Sequence, residues 1–346
     1  MGLTVGLLYN LGKYDPPEEG EPPDIHAELD GEGTIVGIAE ALRWGGHEVV
    51  FIEGNEDAWD TLRRTRIDIA FNICEGLRGA SRESHIPAML EMLGIPYTGS
   101  NVLTLALALD KAMAKRIFQQ ANIPTARFTV FGPNDEVSSR GLRLPLFVKP
   151  AWEGSSIGVS PASLVRNEDE LVRQVGYITN SYKQPALVEE YLEGREFTVG
   201  MIGNATLEML PIREIRFDHC PAEHGPIYSY QYKSEWDKEE YFPCPADIPA
   251  ELAARIRAVA VSAFRALECR DVGRVDIRLD ADDVPNVIEI NPLPGLAPGF
   301  SDLPQAAARG GMSYNELINR ILDAAVERCG LAGKATRYAE VVRSAS

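Results

Sequence analysis

The sequence predicts an α/β chain built from more than one unit. A parallel-sheet portion occupies roughly the first hundred residues, and an α+β portion richer in antiparallel strands follows. Three observations predict this. Short apolar strand-like runs alternate with helical runs up to about residue 100. Beyond residue 122 strands dominate, with fewer helices between them. A length of 346 residues with 45% hydrophobic content is enough for several cores.

Thr4 to Tyr9 is an apolar strand, and the acidic, proline-rich loop from Tyr14 to Asp24 resists regular structure. Ile35, Ile38, Ala39 and Leu42 recur at helical spacing, and Gly45-Gly46 stops that helix. His47 to Ile52 and Ile67 to Ile73 are strands, and Ser84 to Leu93 is a helix ended by Gly94. Val102 to Ala121 reads as one long helix carrying Asp110 and Lys111. Strands are then expected at Arg127 to Phe131, Leu144 to Lys149, Ala186 to Tyr191, Phe197 to Ile202 and Leu207 to Ile215, with a helix from Glu168 to Val175. Pro249 to Leu267 is a helix with Leu252, Ile256, Val259 and Ala263 on one face, and Ser313 to Arg328 is a closing helix. The last ~15 residues lack an apolar stripe and are expected to be loosely held.

The formal charge of −17 argues against a nucleic-acid partner, because phosphate backbones need a basic surface. No apolar run reaches membrane-spanning length, and Met1-Gly-Leu-Thr-Val enters a strand without a basic leader. No membrane association and a cytoplasmic location are therefore expected. The five cysteines show no paired spacing and are expected as free thiols.

The chemistry-bearing residues fall into local settings. In Gly273-Arg-Val-Asp-Ile-Arg-Leu279, alternation puts Arg274 and Asp276 on one face; in Val287-Ile-Glu-Ile-Asn291 it does the same for Glu289 and Asn291. A hairpin centred on Asp282 and Asp283 sets Asp276 across from Glu289 and Arg274 across from Asn291. Opposed carboxylates repel, and a divalent cation with a taste for hard oxygen, such as magnesium, removes that cost. A solvated face with incidental charges is the other reading of this pair. The stiff Asn291-Pro-Leu-Pro-Gly295 continuation favours a shaped site. Glu153-Gly-Ser-Ser-Ile-Gly158, just after Lys149, offers backbone N–H groups and hydroxyls to phosphate, although it is no Walker A loop. The strand from Ala186 ends in acids and suits an adenine and a ribose, or else is an ordinary strand with charged ends.

Val148 to Gly158, Val188 to Val199, Gly273 to Asp276, Glu289 to Gly295, Ile95 to Ser100 and Leu109 to Lys111 together resemble the D-alanine–D-alanine ligase group of the ATP-grasp superfamily. The likeness runs in order from about residue 67 to residue 328. It implies an ATP-grasp fold behind an N-terminal Rossmann-like domain at 1–103. A lid domain at 104–185, a catalytic domain at 186–330 and a tail at 331–346 complete the division. It implies ATP and magnesium, two ions, with manganese as an alternative. Lys111, Lys149 and Lys233 would contact phosphates, Glu153, Ser155 and Ser156 would form the glycine-serine lid, Glu189 and Leu192 would hold adenine, and Glu196 the ribose. Asp276, Glu289 and Asn291 would bind the metal, and Arg274 would stabilise an oxyanion. A homodimer through the N-terminal domain is also implied.

The chain departs from the family pattern where amino acids bind. Ser234 stands after the lid lysine, where a tyrosine is usual; Ser155 keeps the serine role, and Glu28 is the candidate for the glutamate that positions the first substrate. The usual His-Gly motif is altered to Asn72-Ile-Cys-Glu-Gly76, which makes Glu75 a substrate candidate, and Ser301 is the candidate near the second-substrate carboxylate. Arg78, Arg82 and Glu83 are further candidates to line the pocket. The expected activity is an ATP-dependent carboxylate–amine ligase working through an acyl phosphate on amino-acid substrates, in peptidoglycan synthesis if the product is D-alanyl-D-alanine. Three alternatives are a ligase of the same fold joining other amino acids or an amine, a phosphotransferase of the same fold, and a nucleotide-binding module without turnover. The acids of the N-terminal loop favour a cationic partner or are simply solvated.

Overall fold

Strand–helix alternation near the N-terminus builds a parallel sheet. In the computed structural model, which describes residues 2–12, 22, 24, 28–221, 225–229, 232 and 239–331, strands β1 (Thr4–Tyr9), β2 (Glu48–Glu53) and β3 (Ile69–Asn72) pair in the order β2-β1-β3. Helices α1 (Glu32–Trp44) and α2 (Ala58–Arg64) connect them, and α3 (His85–Leu93) follows β3. Ile38, Ala39 and Leu42 of α1 are wholly buried, as their spacing requires. Gly94 ends α3 at φ 67°, a left-handed conformation that costs glycine little. The short α2 was not expected, because seven residues with two buried positions carry too little periodicity.

The long helix expected over 102–121 is two helices, α4 (Val102–Leu109) and α5 (Lys111–Gln120). Asp110 breaks it. Its backbone is extended (ψ 93°), and its carboxylate accepts from the Met113 N–H and from Trp152 Nε1. An aspartate that caps a helix competes with one that continues it. The break places Lys111 at the first position of α5.

Strands β4 (Phe128–Phe131), β5 (Leu146–Pro150), β6 (Leu164–Val165) and β7 (Ala186–Glu190) form an antiparallel sheet in the order β4-β7-β5-β6. This sheet takes a strand from beyond residue 185. Helix α6 (Glu168–Ser181) is longer than expected and buries Leu171, Val175 and Ile178 against Val148 and Val188.

The third sheet is also antiparallel. Strands β8 (Glu196–Gly203), β9 (Leu207–Met209), β10 (Arg213–Ile215), β11 (Val272–Leu279) and β12 (Pro285–Asn291) run in the order β10-β8-β11-β12, with β9 on β8. The single strand expected over 207–215 is thus split around Pro211, which has no N–H to donate. Helix α7 (Ala250–Ala266) packs Ile256, Ala260 and Phe264 into one core with Phe197, Ile277 and Val287, which Phe118 of α5 joins. Helix α8 (Asp302–Arg309) occupies a stretch read as loop; Pro304 in its first turn disguised it. Helix α9 (Tyr314–Arg328) starts at a capping box of Ser313 and Glu316 and packs on α1.

One buried carboxylate ties the N-terminal unit to the third sheet and the closing helix. Asp271, wholly enclosed, accepts from Arg328 Nε (3.0 Å) and Nη2 (2.6 Å), from Asn204 Nδ2 (2.9 Å) and from the Gly99 N–H (2.9 Å). Its partners belong to the loop between α3 and α4, the turn after β8 and the end of α9. The five cysteines are free. Among the described residues no helix is long and apolar enough to cross a membrane. Residues 332–346, expected to be loosely held, lie outside the described residues.

Candidate active site

The β11–β12 hairpin sets the site. Arg274 pairs with Asn291 and Asp276 with Glu289, the register expected from the spacing. A bulge then shifts the register, so Ile277 faces Val287 rather than Ile288. Because of it, the consecutive residues Val287, Ile288 and Glu289 all line one cleft.

That first cleft lies between the second and third sheets. Lys111, Lys149, Glu153, Ser156, Glu189, Leu192, Glu196, Arg274, Asp276 and Glu289 all line it. A second cleft is lined by Glu28, Glu75, Ser155, Asn291 and Ser301. Gly154, Tyr228 and Arg274 line both, so the clefts meet at Arg274. Lys233 and Ser234 lie outside the described residues.

The first cleft is a lattice of ion pairs. Glu189 is gripped by Lys149 (2.8 Å) and Lys115 (2.9 Å), and Lys111 lies 3.3 Å from Glu289. Lys111 also donates to the Glu153 carbonyl. Glu196 takes Arg278 Nη1 at 3.0 Å, and Arg278 Nη2 donates to the Tyr191 hydroxyl at 2.6 Å. Burial pushes the Glu189 carboxyl up, but Lys115 and Lys149 outweigh it and hold the group at about 2. Burial lowers Lys115 despite its pairing, whereas Glu189 and Glu289 outweigh burial and raise Lys149. The Glu189 contribution to stability is therefore present above about pH 4.5 and lost as pH falls toward 2. Urea unfolding of the parent should weaken across that window, and Glu189→Gln should remove that part of the acid dependence. An acid profile unaltered by the substitution would contradict the pairing.

Arg274 sits against Asp276 through two bonds, Nε to Oδ1 at 3.0 Å and Nη2 to Oδ2 at 2.8 Å, with Asp302 3.8 Å away. Burial lowers its pKa, but the Asp276 and Asp302 carboxylates more than reverse this and keep it charged. Asn291 Nδ2 donates to Asp276 at 3.1 Å. Two carboxylates and an amide thus converge, and in this conformation each carboxylate draws a cation to it, Arg274 for Asp276 and Lys111 for Glu289. Hard oxygen donors with a demand for positive charge fit a divalent cation of the magnesium class. Among the described residues no cluster of three His, Cys, Asp or Glu side chains forms a metal site, so the amide is needed to complete this donor set.

The loop between the clefts is strained. Ser155 (φ 46°) and Ser156 (φ 61°) are both left-handed, a conformation that side-chain-bearing residues rarely hold and that clusters at functional sites. Ser156 Oγ donates to the Tyr228 carbonyl at 2.8 Å. Glu28 accepts from the Gly154 N–H at 2.5 Å and from Arg82 at 2.5 Å, which joins the N-terminal loop to the glycine-serine loop. Glu153 is held by Arg82 (2.9 Å) and Gln184 (2.5 Å). Ser301 Oγ accepts from the Ala297 N–H. Arg78 is exposed and lines neither cleft.

Sequence reasoning missed Lys115 and Arg278. Both signals were present: Lys115 is one helical turn past Lys111, and Arg278 continues the alternation of Arg274 and Asp276. It also missed Arg213 and Asp302 of the second cleft, an ion pair at 3.5 Å contributed by strand β10 and helix α8.

A family model described as D-ala D-ala ligase C-terminus matches residues 117–323. A D-alanine–D-alanine ligase of Pelotomaculum thermopropionicum is 32% identical over 304 residues, covering 85% of this chain and 91% of its own. The uncharacterized protein y4sG of Sinorhizobium fredii is 39% identical over 335 residues, 94% of each chain. The crystal structure of a D-alanine–D-alanine ligase from Bacillus anthracis complexed with ATP superposes with a TM-score of 0.72 at 25% identity, covering 94% of this chain and 98% of that one. With its sheets, its two clefts and these relatives taken together, the chain belongs to the D-alanine–D-alanine ligase family of ATP-grasp enzymes, which are ATP-dependent, amide-forming ligases.

Proposed function

We propose that the protein activates the carboxyl group of one amino acid with ATP in the first cleft and joins it to an amine seated in the second. The observation that carries this reading is that Arg274 lines both clefts. A carboxylate oxygen attacks the γ-phosphorus of ATP and ADP leaves, giving an acyl phosphate. The amine then attacks the acyl carbon, phosphate leaves, and the new amide nitrogen loses a proton. Lys111, Lys149 and Lys115 supply positive charge beside the phosphates, and the Lys233 segment would cover them. Glu189 and Leu192 would hold adenine and Glu196 the ribose, with Glu153, Ser155 and Ser156 closing over the nucleotide. Asp276, Glu289 and Asn291 would hold magnesium, two ions in the family pattern or manganese in their place, which when bound offsets phosphate charge. Arg274 would stabilise the oxyanion as the amine adds. Glu28, with Ser155, would position the first substrate, while Ser301, Ser234 and Glu75 would contact the substrate pair. Enclosure of the clefts would keep water from the acyl phosphate.

Support for these roles comes from the shared lining of the clefts and the charge around them. The three sheets favour a division into an N-terminal unit, a lid unit and a catalytic unit, with the lid reaching through β7. D-alanine is the first substrate to try, and a cell-wall role in the cytoplasm would follow from it. Exposed Val36, Trp44 and Phe51 on the N-terminal unit favour a homodimer, which sedimentation equilibrium would reveal. The expected result for the activity is ADP and phosphate release that requires both an amino acid and an amine, with the dipeptide or amide visible by mass spectrometry. A stable phosphorylated product formed without any amine would replace the ligase reading with phosphoryl transfer.

A further inference from the structure

The second cleft carries more negative charge than amide formation uses. Among the described residues Glu28, Asp30, Glu75 and Glu83 line it as one mutually interacting group, and the Gly154 N–H donates to Glu28. Arg82 is the neighbouring cation, and its guanidinium is already occupied by Glu28 (2.5 Å), Glu153 (2.9 Å) and the Trp152 carbonyl (2.9 Å). Glu83 is 8% exposed, yet it makes no hydrogen bond or salt bridge among the described residues, and it borders the cleft. A carboxyl that is nine-tenths buried and unpartnered is costly unless something enters to meet it. Crowding is visible in the titration as well. Burial and the nearby Glu28 push Glu83 up to about 8, and burial pushes Asp30 up to about 6. Burial, with Glu83, Glu28 and Asp30, raises Glu75 well above the usual carboxylate range. A cation among these acids would relieve all of them together.

The position of the acids says which substrate carries that cation. They lie beside Glu28 and Ser155, on the side assigned above to the substrate whose carboxyl is activated. The cations of the same lining, Arg213 and Arg274, are instead gathered around Asp302. We infer that the carboxyl-donating substrate is a diamino acid, whose side-chain ammonium is received by Glu83 and Glu75. This rests on the amide-ligase reading of the same site. The altered Asn72-Ile-Cys-Glu-Gly76 segment then has a purpose: it delivers Glu75 to the pocket, and the short helical turn Arg82–Ser84 delivers Glu83.

Ornithine and norvaline make the test, since they share a carbon chain and differ by the ammonium. Calorimetry on the full-length protein with MgADP present should show one enantiomer of ornithine binding about 100-fold more tightly than the matching norvaline. Glu83→Gln and Glu75→Gln should each weaken ornithine about tenfold and draw the ratio toward one. Two variants are used so that a folding defect in one, read from its thermal midpoint, leaves the other to decide. Norvaline binding as tightly as ornithine, or a preference untouched in both variants, overturns the inference. Phosphate release with the same compounds plus an amine array separates the two levels. Equal turnover of neutral amino acids leaves the amide ligase standing and removes the diamino acid. Selective ornithine binding with no release under any amine keeps the cationic pocket and removes the ligase assignment.

Discussion

Arg274→Met should lower kcat about 10²–10³-fold, the usual consequence of removing one donor to a developing oxyanion. The side chain is placed for this role by strand alternation and by Asp276, which fixes both its Nε and Nη2. It stands where the two clefts meet, so it is the group that a species joining an activated carboxyl to an amine would touch. Arg274→Lys should recover little, because an ammonium cannot reproduce the guanidinium fork that holds Asp276 and still face the substrate. Steady-state kinetics with the thermal midpoint as a control for folding will decide. A kcat within threefold of the parent in Arg274→Met would take Arg274 out of the reaction.

Asp271→Ala should cost about 3–5 kcal/mol of stability, the range for breaking a buried pair by removing one partner. Four bonds to the carboxylate disappear; Asn204 Nδ2 keeps the Ala324 carbonyl and Arg328 Nη2 the Tyr97 carbonyl, while the Gly99 N–H and Arg328 Nε lose their acceptor. Asp271 also sits at φ 63°, which alanine tolerates less well than aspartate. The loss should be read as a lower urea midpoint with an unchanged slope. Because the knot lies away from both clefts, the folded fraction should retain its turnover. A loss below about 1 kcal/mol would mean that the N-terminal unit and the third-sheet unit are held together mainly by apolar packing.

Much of the architecture was legible because it depends on neighbours in sequence. The hairpin register follows from two turn residues and strict alternation, and it holds for Arg274–Asn291 and Asp276–Glu289. It slips by one at Ile277, since a bulge is a local deformation that alternation does not announce. The helix break at Asp110 was hidden by good helix formers on both sides, although aspartate is a favoured cap. Helix α8 was hidden by Pro304, and the strand pair β9 and β10 by reading through Pro211. Lys115 was passed over because a buried lysine has no sequence signature apart from its place one turn beyond Lys111.

The sequence by itself determined the family resemblance, the alternation that sets the first sheet, and most of the charged residues that line the first cleft, because each is written within a few residues of chain. The tertiary structure alone decided that the candidate site is divided between two clefts and that Arg274 lines both. It decided that Arg82 binds Glu28 and Glu153, contacts spanning 54 and 71 residues, and that Glu83 is buried with no direct salt bridge among the described residues. The physical reason is range. Periodicity and capping act over one or two turns, whereas charge pairing and burial depend on which distant segments the cores bring together.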